Sequence, residues 1–269
     1  RDVLGSRGLG DVYKRQIVKK LEGGLTITTY SNLLDDDFMK AIPRYQNYDK
    51  SNFREYVRFK PEIKMKYVYY YDTVTSPSQD KRYPGLNTEQ RAKEIMRIHG
   101  LDSNMFLKPE EIRAQIDLLP EKNKFVRVLE RESGEKTFLR VDNDMGHFPR
   151  EAEITAAFKR IVMELPKVGF LIGHGERDIK KLGDRDYNSF TLDKSFRYAL
   201  INQGFDIENV ILDKEVNPEI RILVIAEVRD EMSEVECENL DKYIACGGNL
   251  LIMNEPKSAG NIEPLLAKL

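Results

Sequence analysis

Lys167-Val168-Gly169-Phe170-Leu171-Ile172-Gly173-His174-Gly175-Glu176-Arg177-Asp178 is the stretch whose reading decides the fold. Val168 to Ile172 form a continuous apolar run, the pattern of a strand buried on both faces of a parallel sheet. The polar, glycine-containing loop comes directly after it, where open α/β sheets place their ligand loops. Downstream, Leu192, Phe196, Ala199 and Leu200 share one face of an expected helix that ends at Gly204. Strands over Asn209–Leu212 and Arg221–Ala226 follow, then a helix over Ser233–Cys246, capped by Ser233 and closed by Gly247-Gly248, and a strand over Asn249–Met253. Strands alternating with helices predict a doubly wound parallel sheet over residues 167–269.

Upstream, Leu25–Tyr30 alternates and is rich in β-formers after the Gly23-Gly24 breaker, so it reads as a strand. The polar and aromatic stretch to about Lys60 reads as helix on weak periodicity. Ile63, Met65, Tyr67, Tyr69 and Tyr71 occupy alternate positions of one strand face, and Thr73–Pro84 reads as a polar loop. Asn87 caps a helix carrying Ala92, Ile95 and Met96 and closed by Gly100. Pro109 opens another with Ile112, Ile116 and Leu119 as its stripe. Phe125–Glu132 and Glu135–Asp142 form a hairpin turning at Ser133-Gly134. Ile154, Ala157, Phe158, Ile161, Val162 and Leu165 recur at the spacing of an amphipathic helix, which Pro166 stops. The order β-α-β-α-ββ-α over residues 17–166 is that of a thioredoxin-like domain, with the domain boundary near Pro166. Residues 1–16 are set aside: they resemble adapter-derived translation at the end of a sequenced fragment, a solvated arm being the competing reading. The chain reads as a fragment cut on both sides.

The 269 residues hold 43 Lys and Arg against 45 Asp and Glu, so a net charge of -2 gives no electrostatic reason to expect nucleic acid. With 41% hydrophobic residues a packed core is affordable, and wholesale disorder is excluded. No stretch approaches the roughly 18 consecutive apolar residues of a bilayer-spanning helix.

Several chemistries can be weighed by residue type. A thioredoxin-like domain works through Cys-x-x-Cys at the end of its first strand. Here that strand leads into Ser31-Asn32-Leu33-Leu34-Asp35, and no Cys occurs before Cys237, so the domain is expected to be redox-inactive. Cys237 and Cys246 fall on opposite faces of one helix, with Cys237 beside Leu240 and Ile244 as a small buried hydrophobe. In the strand-end loop, Gly173 and Gly175 allow close backbone approach, while His174, Glu176, Arg177 and Asp178 offer anion binding or acid–base work. The loop matches neither G-x-G-x-x-G nor G-x-x-x-x-G-K-[ST], so no nucleotide cofactor is expected. A metal site of His174, Glu176 and Asp178, with Asp184 or Asp186, has no recognised ligand spacing, and no metal is assigned. Against every functional reading stands the local one, in which His174 and Glu176 hydrogen-bond to fix a tight loop. No G-x-S-x-G elbow is present. Asp35-Asp36-Asp37 reads as a solvated turn, and the tyrosines of 67–71 as a packed strand face with a glycan- or peptide-facing surface as the alternative.

Leu25–Asn32, Phe148–Lys159, Lys167–Asp178, Arg197–Phe205, Ile222–Ala226 and Tyr243–Pro256 together resemble the extracytoplasmic region of GldG-type, gliding-motility-associated ABC transporter components. The resemblance covers most of residues 17–269 and is densest after 148. It implies a thioredoxin-like subdomain followed by a domain similar to class I glutamine amidotransferases, held on the extracytoplasmic side of the cell membrane by flanking helices. It also implies an ABC permease or other membrane subunit as partner. Enzymes of the amidotransferase fold place a Cys on a sharp turn after a strand. Here Ile222–Ala226 leads into Glu227-Val228-Arg229-Asp230, so the fold is expected without that activity. The expected role is a non-catalytic interaction domain using Gly173, His174, Gly175, Glu176, Arg177 and Asp178. A hydrolase or transferase built on His174 and Glu176, with or without a divalent metal, is the alternative.

Overall fold

The computed structural model describes residues 14–142, 144, 148–183, 186–254 and 266. Most of the excluded arm, residues 1–13, lies outside the described residues, while residues 14–19 are helical and Lys14 pairs with Glu151 at 3.0 Å. The chain is α/β and divides into two units, Arg1–Val141 with Gly146–Val162, and Asp142–Met145 with Met163–Leu269.

In the first unit β1 (Leu25–Asn32) runs parallel to β2 (Ile63–Tyr70), and β2 parallel to the short β3 (Phe106–Leu107). On the other side β4 (Val126–Arg131) lies antiparallel to β1, and β5 (Lys136–Arg140) antiparallel to β4, giving a mixed sheet of order β3-β2-β1-β4-β5. The hairpin turns at Ser133-Gly134, where Gly134 has φ 100° and a side chain would be strained. Short helices α1 (Gln46–Ser51) and α2 (Arg54–Phe59) join β1 to β2.

The next helix, α3 (Pro77–Arg82), falls inside the stretch expected to be loop. Ser76 caps it by accepting from Gln79 N, and Pro77 at the first helical position has no N–H to waste. By contrast α4 (Thr88–His99) follows expectation, with a capping box between Asn87 and Gln90 and Gly100 left-handed at its end. In α5 (Pro109–Gln115) only Ile112 is buried. The helix stops before Ile116, so Leu119 leaves the expected stripe and is 64% exposed.

Helix α6 (Glu151–Val162) packs Ile154, Ala157, Phe158 and Ile161 on a sheet face made by Leu25, Ile27, Ile63, Leu129 and Leu139. Each such large apolar side chain contributes about 1.5–3 kcal/mol when fully buried. On β2 the alternation holds: Ile63 and Met65 join that core, whereas Tyr67, Tyr69 and Tyr71 join a second one with Leu33, Ile95 and Phe106. Tyr70 points the other way and is also fully buried. Inside this unit Arg127 of β4 is wholly buried, ion-paired to Asp49 of α1, with its guanidinium 4.9 Å from the Phe125 ring centroid. Tyr67 donates its hydroxyl to the same carboxylate at 2.8 Å.

The second unit is a parallel sheet of order β7-β6-β8-β9, formed by β6 (Lys167–Leu171), β7 (Asp206–Val210), β8 (Ile220–Ala226) and β9 (Asn249–Met253). The apolar run of β6 is buried on both faces. Val168 and Phe170 pack with Ile179, Val224 and Ala226, and Leu171 packs with Leu223, Ile225, Leu240 and Tyr243. Gly169 is required in this central strand, since a Cβ there would lie 2.6 Å from Val210 Cγ2 and 3.0 Å from Ile220 Cγ2.

The crossover from β6 to β7 is not the expected continuous helix. It holds one turn, α7 (Asn188–Thr191), and a 3-10 turn over Leu200–Asn202. Asp193 accepts from the Ser195 N–H at 2.8 Å and from its hydroxyl at 2.7 Å, while Asn202 donates its side-chain amide to the carbonyls of Asp193, Lys194 and Phe196. Side chains thus outcompete the helical ladder for these backbone groups. Phe196 is consequently 43% exposed rather than on a buried stripe. The face of β8 and β9 is covered by α8 (Glu234–Ala245), capped by Ser233 as expected.

Candidate functional site

The chain runs from β6 to β7 on one side of the parallel sheet and resumes at β8 on the other. The loops beyond the C-terminal ends of β6 and β8 therefore flank a topological switch point, the usual ligand crevice of such sheets. All six residues singled out in the sequence sit there. Gly173 and Gly175 have φ 126° and 76°, a left-handed pair that folds the loop back tightly.

His174 is 5% exposed and is held from both sides. Its Nδ1 lies 3.1 Å from Glu176 Oε1 and its Nε2 lies 3.1 Å from Glu236 Oε1 in the first turn of α8. Each ring nitrogen thus faces a carboxylate oxygen. The backbone joins in: His174 N donates to Glu176 Oε2 at 2.6 Å, and His174 O accepts from Arg229 N at 2.8 Å and Asp230 N at 3.1 Å. These last two bonds tie the loop after β6 to the loop after β8. They need Gly175, whose Cβ would stand 3.1 Å from Arg229 Cβ.

Glu236 closes the capping box of α8, accepting from the Ser233 N–H and hydroxyl, each at 2.8 Å. Those bonds, and then His174, hold its carboxyl below the usual Glu range. Beyond this knot Arg177 donates Nη2 to Glu227 Oε1 at 2.6 Å, with its guanidinium 5.4 Å from the Tyr187 ring centroid. Glu227, the first residue after β8, has φ 57° and donates its N–H to Met253 O at 3.0 Å. A non-glycine residue in that region is strained, and such strain persists only where the surroundings enforce it.

Asp178 stands apart from the His174 group. Its Oδ1 accepts from Lys180 N at 2.7 Å, its backbone bridges to Asp186, and Lys181 lies 3.7 Å from its carboxylate. His174 and Glu176 are thus brought together and Asp178 is not, and Asp184 lies outside the described residues. Among the described residues no three His, Cys, Asp or Glu side chains are grouped to hold a metal ion.

Cys237 is half-buried rather than buried, and Cys246 is exposed; both are free thiols. The buried face of α8 centres on Asn239, Leu240 and Tyr243, which puts Cys237 at its margin. At the end of β1, Asn32 is buried and donates its amide to Asp72 O and Asn123 O, both at 2.9 Å. Asp35 accepts from Phe125 N at 2.7 Å, and burial raises its carboxyl above the ordinary Asp value. Asp35 is therefore an internal anchor rather than the solvated turn residue expected from sequence.

Glu236, Glu227 and Arg197 escaped the sequence reading. Glu236 had a signal, the Ser-x-x-Glu capping box; the other two had none. Arg197, in the crossover, is 1% exposed, with Nη1 3.0 Å from Asp142 Oδ2 and Nε 2.7 Å from Asp144 Oδ2.

Among the described residues no helix is long and apolar enough to cross a membrane. No curated protein and no solved structure matches this chain. Residues 165–267, the parallel-sheet unit with its knotted loops, match the family model described as an ABC-type uncharacterized transport system, ABC_transp_aux. That match supports an auxiliary component of an ABC-type transport system, an assignment that implies membrane transporter partners.

Proposed function

We propose that the chain is a non-catalytic, extracytoplasmic interaction domain of a GldG-type ABC transport system. In this reading the first unit is thioredoxin-like without its thiols, and the second is amidotransferase-like without its nucleophile. The family match over residues 165–267 carries the proposal. Two features support its finer parts. The mixed sheet sets a parallel β1–β2 pair beside an antiparallel hairpin and backs it with α6, as a thioredoxin-like unit would. In the second unit the groups suited to acid–base work are spent on one another: the Glu176 side chain is 1% exposed, and both ring nitrogens of His174 face carboxylates. That pairing weighs against the hydrolase or transferase reading, because a general acid or base must reach a substrate proton.

The partner is a permease or another membrane subunit, docking on the outer surface of residues 173–178 and the adjoining sheet edge. By the resemblance, helices outside these 269 residues attach the domain to the membrane. Cys246, an exposed free thiol, reports the side. A membrane-impermeant sulfonated maleimide applied to intact host cells should label Cys246 without lysis, and crosslinking through the same thiol should recover transporter subunits. Labelling that appears only after lysis would refute the extracytoplasmic placement.

A further inference from the structure

The first unit holds a cavity of about 370 Å³ bounded by α1, α2 and the start of α6, within the roughly 300–1,000 Å³ typical of small-molecule sites. Its floor is rigid and apolar. Tyr56 and Ile154 are each 2% exposed, and the Tyr56 ring stacks on Phe158 at 5.0 Å while its hydroxyl meets Thr155 Oγ1 at 2.7 Å. Two more aromatic rings form a wall: Tyr48, 60% exposed, meets Phe148 edge to face with centroids 5.1 Å apart.

The polar groups around these rings are balanced in charge. Glu151 is paired with Lys14 at 3.0 Å, and Glu55 with Arg58 at 3.6 Å. Asn52 also lines the cavity.

An anion in this space would meet Glu55 and Glu151, a cation would meet Lys14 and Arg150, and a wholly apolar ligand would strip water from all four charged side chains. A neutral ring with one C–H face and several hydroxyls avoids all three conflicts. We infer that this cavity binds a neutral saccharide of one or two pyranose rings, a sugar face stacking on Tyr48 and its hydroxyls meeting the polar side chains of Glu55 and Arg150.

Saturation-transfer NMR on the full chain with maltose, cellobiose, lactose and diacetylchitobiose tests this. At least one of them should receive saturation. Tyr48→Ala should weaken that sugar about tenfold, the loss of one aromatic platform, while Tyr48→Phe keeps it, and circular dichroism should show both variants folded because Tyr48 is largely exposed. Absence of transfer to all four sugars overturns the inference. So does binding indifferent to Tyr48→Ala, or preferential binding of the peptide Gly-Tyr-Gly or of benzoate.

Discussion

Removing the buried guanidinium of Arg197 should unfold the second unit selectively. The Arg197 side chain is 1% exposed and that of Asp142 2%, with 3.0 Å between Nη1 and Oδ2. Arg197→Met keeps most of the stem volume but leaves Asp142 as a buried charge without its cation. Breaking such a pair costs about 3–5 kcal/mol. The Asp144 carboxylate, at 36% exposure, is screened by water, and its share is about 1 kcal/mol or less. The acids lie between β5 and α6 in sequence yet belong to the second unit, so they strap the crossover from a distant part of the chain. Hydrogen exchange followed by mass spectrometry reads the two units separately. Since about 1.4 kcal/mol is a factor of ten, amides of β6 and β8 should exchange roughly a hundredfold faster or more, with those of β1 and β4 unchanged. A change below about tenfold in β6 and β8, or equal loosening of β1, would refute the reasoning.

Three further outcomes follow from the packing. Asp49→Ala, which strands the wholly buried Arg127, should cost the first unit about 3–5 kcal/mol in urea unfolding followed by circular dichroism, and Arg127→Met with Asp49→Leu should cost less than either single change. Gly169→Ala should lose about 1–3 kcal/mol by overpacking β6 against Val210 and Ile220; Val210→Ala in the same chain should recover part of the loss in thermal unfolding. For Asp35, burial raises the folded carboxyl above its unfolded value, so the folded state holds the proton more tightly. The resulting stabilisation is complete below the unfolded value and fades as pH rises through the folded one. Asp35→Asn should therefore stabilise at neutral pH, and its advantage should vanish in acid, as urea midpoints at pH 7 and near the ordinary Asp value would show.

The elements legible in the sequence are those in which one local rule acts alone. β9 needed only an apolar run after Gly247-Gly248, and α4 needed only Asn87 and Gly100. The hidden ones are set by contacts between distant residues. Arg197 lies off the expected apolar stripe of Leu192, Phe196, Ala199 and Leu200, and only the return of the chain at Asp142 and Asp144 makes it a buried anchor. Arg127 is hidden for the same reason, since its partner Asp49 is 78 residues away. At the candidate site the loop was legible from its glycines and its position after a buried strand. The third member of the histidine clamp was not, because Glu236 enters from α8, although the capping box that holds its carboxylate was written in Ser233 and Glu236.

The geometry of that clamp accords with the docking role proposed above. Loops at a switch point ordinarily diverge, and the space between them admits a ligand. Here Arg229 and Asp230 donate to His174 O, and Gly175 lets the two loops touch. His174 then joins Glu176 to Glu236 in the space that would otherwise open. Each member is fixed by a second bond, so pulling one group toward a substrate would break hydrogen bonds within the clamp. The same bonds tie the loop after β6 to the loop after β8 and to the first turn of α8. Under the proposed docking role a partner surface would be shaped against these loops, whereas the alternative, a reaction centre, would need His174 or Glu176 to reach a substrate proton.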